Sequence, residues 1–125
     1  MAPSGSGTRW GLRLVFAAAL VLHVLVLYSP GTPGDSTSTG VDKMGHTAMF
    51  AILVAPLLCL GTPIGSTLLA ATGYAVLSEF IQAFAVPHRS GEFGDLLANL
   101  LGIGLGWLIW RALPEDRSQP TRSPR

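Results

Sequence analysis

Four long apolar runs, separated by short stretches of Gly, Pro, Ser and Thr, constrain this chain more than any other feature. An amphipathic helix of a soluble protein interrupts its apolar residues every three or four positions, and these runs do not. Hydrophobic residues fill 49% of the 125 positions and charged residues 12%, against a usual charged share of roughly a quarter. So much apolar surface cannot be hidden inside a domain of this size. It must meet lipid.

A bilayer core about 30 Å thick takes about 20 helical residues to cross, with a working range of about 17 to 25. Residues 12–29, 43–60, 64–84 and 95–112 each satisfy that length. The expectation is an all-α membrane protein, a bundle of four transmembrane helices with short loops. The first run follows Arg9 and Arg13 in the manner of a signal peptide. No small-x-small cleavage site follows it, however, and Tyr28-Ser29-Pro30-Gly31 stands there instead, so it is read as an uncleaved span. Residues 30–41 read as a loop, too rich in Gly, Pro, Ser and Thr to order themselves by apolar burial.

Pro56 should kink the second helix near its far end. Gly61-Thr62-Pro63 then demands a tight turn, with Thr62 capping the third helix and Pro63 in its first turn. Residues 85–94 form a polar loop. The fourth span stops before Pro114, and a charged, Pro-rich tail expected to be disordered follows. The chain thus divides into an N-terminal segment (1–11), a four-helix membrane domain (12–112) and a tail (113–125).

Flanking Lys and Arg vote on orientation, because positive charge stays on the cytoplasmic side. Arg9 and Arg13 precede the first span and Arg111, Arg117, Arg122 and Arg125 follow the last, whereas Lys43 and Arg89 alone border the other side. A multi-pass protein of the cell membrane with both termini cytoplasmic is expected. Trp10, Trp107 and Trp110 then mark the inner interface, and Tyr28 and Phe93 the outer one. A net charge of +1 and basic residues without interleaved aromatics argue against nucleic acid. The single cysteine, Cys59, excludes an intrachain disulfide and a cysteine metal cluster, and reads as a small packing residue.

With that topology the polar residues of three helices share one leaflet. Asp42, Lys43 and His46 open the second helix, Glu79 and Gln82 lie near the end of the third, Arg89 is in the loop, and Asp95 and Asn99 open the fourth. At about 1.5 Å per residue, each group lies within roughly two turns of the outer boundary. Separations of three or four put each group on one helical face. On the fourth helix that face continues through Gly102 and Gly106, a small-xxx-small pair that admits a partner helix. Gly104 lies opposite, so the Gly-rich run is no phosphate loop; it follows no strand and lacks the Lys.

Each polar residue also has a plainer role. Asp42 and Asp95 stand where aspartates cap helix starts. His23 has no polar helical neighbour and reads as a satisfied packing residue, and His88 and Glu92 read as loop. Gln82 and Asn99 suit interhelical hydrogen bonds. Glu79 is the hardest to dismiss, since an ionised carboxylate near hydrocarbon costs several kcal/mol and marks a functional or paired site. Its structural role would be an ion pair with Arg89, Lys43 or His46.

Asp42-Lys43-x-x-His46 with Phe50 a turn later, Glu79-x-x-Gln82, and Arg89-Ser90-x-x-x-x-Asp95-x-x-x-Asn99-x-x-Gly102 together resemble the VanZ-like family over residues 42–106. The resemblance implies a small bacterial multi-span protein of a family named for a member linked to teicoplanin resistance. It also implies recurrent polar positions at Asp42, Lys43, His46, Glu79, Gln82, Arg89, Asp95 and Asn99. It supplies no reaction and no cofactor.

Three functions compete. A non-enzymatic envelope protein would use the outward polar cluster to bind a lipid headgroup, a cell-wall intermediate or a partner, with Lys43 and Arg89 supplying charge for phosphate. A small proton-coupled transporter, working as an oligomer such as a dimer, would use Glu79, which lies toward one face rather than at the midplane where alternating-access sites sit. A membrane enzyme would use Glu79, His46 and Asp95 as acid, base or metal ligands, but no nucleophile and no local metal spacing such as His-x-x-x-His accompanies them. The sequence therefore leans away from an enzyme and assigns no metal.

Overall fold

The computed structural model describes residues 5–31, 33 and 40–114. Four helices account for nearly all of them: α1 (Ser6–Leu27), α2 (Gly40–Cys59), α3 (Ile64–Ala85) and α4 (Phe93–Ala112). Each is long and apolar enough to cross a membrane, and no strand occurs among the described residues. α1 begins at Ser6 and α2 at Gly40, earlier than the apolar runs do, because helical hydrogen bonding need not stop where the lipid-compatible residues stop. Most of the loop expected over 30–41 and the tail beyond 114 lie outside the described residues.

α2 is the centre of the bundle. It packs most heavily on α4, then on α1, and least on α3, which leans instead on α4. Contacts advance along α2 and α4 together, Thr47 with Ala98, Phe50 with Gly102 and Val54 with Gly106, so the two helices run parallel and nearly in step. Glycine makes this closeness possible. A Cβ at Gly102 would strike the Thr47 carbonyl oxygen and stand 2.9 Å from the Phe50 Cβ, and one at Gly106 would stand 2.9 Å from both the Ala51 carbonyl oxygen and the Val54 Cβ. Gly104 faces open space. Without a hydrophobic drive between helices in lipid, close backbone packing of this kind is what holds them.

The α2–α3 turn closes through a left-handed glycine. Gly61 has φ 88°, its N–H donates to the Leu58 carbonyl at 3.0 Å, and the Thr62 N–H donates to that of Leu57 at 3.3 Å. This is the paired reverse bonding of a Schellman motif. Thr62 does not cap α3 as expected. Its hydroxyl reaches back 2.8 Å to the Leu57 carbonyl, and Pro63 occupies the N-cap position, its carbonyl accepting from the Thr67 N–H at 3.0 Å and hydroxyl at 2.8 Å. The Leu57 carbonyl draws the hydroxyl backward because the end of α2 has acceptors to satisfy. Pro56 lies inside α2, which continues past it to Cys59.

Phe50, Leu27, Val54 and Leu58 are fully buried and form the core with Met49, Ala75 and Ile103. His23 is buried among them, its ring 4.8 Å from that of Phe50 and 5.2 Å from that of Tyr74. It packs as expected but is not satisfied: neither ring nitrogen has a hydrogen-bond partner among the described residues. The outer faces carry exposed Leu14, Leu25, Leu69, Phe84 and Leu101, the surface that lipid would cover.

A buried polar pole at one end of the bundle

Asp42 is the third residue of α2 and Asp95 the third of α4, so the in-step pairing of the two helices sets them side by side. One turn deeper, His46 and Asn99 repeat the arrangement, and the His46 Nδ1 lies 2.8 Å from the Asn99 Oδ1 across a sequence separation of 53. The other end of the Asn99 amide, Nδ2, donates to Glu79 Oε1 on α3 at 2.8 Å. All three side chains are buried, with exposures of 1% for His46, 0% for Asn99 and 9% for Glu79.

The direction of this chain follows from donor chemistry. Asn99 turns its NH₂ toward Glu79 and its carbonyl, which only accepts, toward His46. The His46 Nδ1 must then carry the proton. The other ring nitrogen, Nε2, is buried and without a hydrogen-bond partner among the described residues. His46 lies 3.9 Å from Glu79 Oε1, with Asn99 bridging the two.

Lys43 closes the pole at its rim. Its amine is 3.4 Å from Asp95 Oδ1 and 3.6 Å from Glu92 Oε2, and its stem crosses Gly94, where a Cβ would stand 2.7 Å from the Lys43 Cε. Glu92, read from sequence as loop alone, is therefore part of the site, at the N-cap position of α4. Its spacing of three from Asp95 was the available signal. Beside the rim, a groove of about 410 Å³ runs down the lipid-facing seam of α2 and α4 between Lys43 and Leu105, walled by Met44, Ala48, Leu97 and Leu101.

Arg89 serves a different purpose from the expected one, whereas Gln82 makes an interhelical hydrogen bond of the kind expected of it. Arg89 donates through Nε to the Ser29 carbonyl at 3.2 Å and through Nη2 to that of Val26 at 3.3 Å, and Gln82 Nε2 donates to that of Leu27 at 2.7 Å. These carbonyls close α1, where a helix has acceptors without intrahelical donors. Arg89 is thus spent on the end of α1, and of the three partners expected for Glu79 it is His46 that lies near it. Tyr28, at the same end, lies 3.2 Å from the Tyr74 hydroxyl and 3.3 Å from that of Ser78, a contact the sequence did not suggest. His88 is in the α3–α4 loop with φ 57°.

The carboxylates of Asp42 and Asp95 and a ring nitrogen of His46 lie within 4.8 Å of one another. The set weighed from sequence as acid, base or metal ligands of an enzyme had Glu79 in place of Asp42. Glu79 is displaced from it because Asn99 stands between its carboxylate and the His46 ring.

Four membrane-spanning helices with a polar pole buried at one end define a compact multi-span membrane protein. The family model described as VanZ/LLP1 matches residues 9–114, and the chain belongs to that family. No curated protein and no solved structure matches it.

Proposed function

We propose that this protein binds a phosphate-bearing envelope lipid, its headgroup at the polar pole and its chain in the α2–α4 groove. The observation that carries the reading is the groove itself, apolar along its length and opening at one end on an ammonium group. Such a surface complements a molecule with a hydrocarbon tail and an anionic head. The N-termini of α2 and α4, parallel and adjacent, add partial positive charge at the same end. By the distribution of Lys and Arg, the protein sits in the cell membrane with both termini cytoplasmic and this pole outward. A lipid-linked wall precursor has this chemistry, and binding one would connect the protein to glycopeptide resistance.

The Glu79–Asn99–His46 chain supports a bracing role for those three residues, since they bond one another directly. Proton transport through Glu79 is less well supported, because Glu79 lies six residues from the end of α3 rather than at mid-helix.

The test is native mass spectrometry of the detergent-purified protein offered phosphatidylglycerol and undecaprenyl phosphate. Retention of either lipid should fall on Lys43→Ala and on Ala48→Trp, which fills the groove from its lipid-facing side without touching the core. Retention unchanged in both variants would overturn the reading.

A further inference from the structure

We infer that Asp42, His46 and Asp95 form a binding site for a divalent transition-metal ion. Their ligand atoms lie within 4.8 Å of one another. Atoms that share a tetrahedral ion at about 2.1 Å stand about 3.4 Å apart, so the widest pair needs to draw in by about 1.4 Å. Two side chains at helix starts and one on the turn below can do that by rotation alone.

The second observation is the state of His46. The ring is 1% exposed, its Nδ1 is committed to Asn99, and its Nε2 is buried without a hydrogen-bond partner. Burying an imidazole nitrogen unsatisfied is costly, and a metal ion bound to the neutral ring satisfies it. The arrangement behind the ring is the one metal-bound histidines use. Nδ1–H donates to a carbonyl oxygen, here that of Asn99, which Glu79 holds in turn, so the tautomer and ring angle are set before an ion arrives. Asp95 is 4% exposed, and its Oδ1 faces the Lys43 amine at 3.4 Å.

Charge points the same way. Among the described residues, the carboxylates of Asp42, Glu79, Glu92 and Asp95 gather at this pole around the ammonium of Lys43, while Arg89 serves the end of α1. A dication offsets the excess. Lys43 competes for Asp95 at 3.4 Å, but its side chain is 37% exposed and Glu92 offers it another partner at 3.6 Å. One nitrogen and two carboxylates suit Zn²⁺, Co²⁺, Mn²⁺ or Fe²⁺ better than Ca²⁺ or Mg²⁺, which favour oxygen-only sites. The ion's remaining positions would face the pole's open side and could take a phosphate oxygen; that use, unlike the site itself, rests on the lipid reading.

The full chain in detergent, stripped with chelator and without added lipid, is titrated with Co²⁺ and Zn²⁺. One equivalent should bind, with Co²⁺ giving visible d–d absorption. Asp42→Asn and Asp95→Asn should each weaken binding about tenfold or more, whereas Glu92→Gln should stay within about threefold of wild type. Circular dichroism and gel filtration verify each variant's fold. Should Asp95→Asn aggregate, the half-buried Asp42→Asn decides. No stoichiometric binding, or binding indifferent to Asp42→Asn, overturns the site. Lipid retention measured separately, with chelator and with Zn²⁺, distinguishes the two claims: lipid retained by a protein that binds no metal removes the site and spares the lipid reading, and metal bound without lipid retention does the reverse.

Discussion

The Asn99 amide accepts from the His46 ring and donates to the Glu79 carboxylate, both at 2.8 Å, so one side chain joins three helices. Leucine at position 99 would fill the space and leave both neighbours buried without a partner. Asn99→Leu should cost about 1–3 kcal/mol, as unsatisfied buried polar groups do. Asn99→Asp should cost at least as much, because it sets a second carboxylate against Glu79. Reversible unfolding in mixed detergent micelles measures both, and a loss below about 0.5 kcal/mol for Asn99→Leu would show that the bridge carries little.

Gly102 and Gly104 are two residues apart on one helix and should respond oppositely to a single methyl. Gly102→Ala drives a Cβ into the Thr47 carbonyl and should cost about 1–3 kcal/mol by forcing α2 and α4 apart. Gly104→Ala meets open space and should stay within about 0.5 kcal/mol of wild type. The same unfolding assay compares them; equal losses would mean that the α2–α4 approach does not set stability.

His23 lies against Phe50 and Tyr74 with neither nitrogen bonded among the described residues. If packing is its whole contribution, His23→Leu removes an unsatisfied polar group and should raise stability by about 1 kcal/mol. A clear loss of stability instead would reveal a partner for the ring.

The shared orientation of the pole is testable by labelling. In a Cys59→Ala background, Ser29→Cys and Ser90→Cys should react with a membrane-impermeant maleimide from the same side, and Gly5→Cys and Pro114→Cys from the other. All four positions are exposed. Opposite-side labelling of positions 29 and 90 would dissolve the pole.

Length and apolar content made the four helices legible, because the cost of exposing peptide groups to lipid leaves few alternatives. Depth was legible too, since rise per residue places His46, Glu79 and Asn99 at one level. The azimuth of each helix about its axis was not. That is why Glu79 was grouped with Asp95 and His46 while Asp42 was weighed as a cap, although Asp42 is the residue that shares their cluster. The role of Arg89 was not legible for a further reason. Its partners are main-chain carbonyls at the end of α1, and a row of side-chain letters does not display backbone acceptors. Glu92 escaped because a charge in a loop looks the same whether it meets solvent or, as here, Lys43.

The in-step pairing of α2 and α4 also bears on how the molecule is made. The two halves of the pole leave the ribosome separated by the whole of α3, and neither half has its hydrogen-bonding complement until α4 arrives. A nascent chain halted after α3 would hold His46 and Glu79 in the bilayer without Asn99 to join them. The pole therefore forms only once α4 is in place, and until then its polar groups must wait on water, lipid headgroups or the insertion machinery.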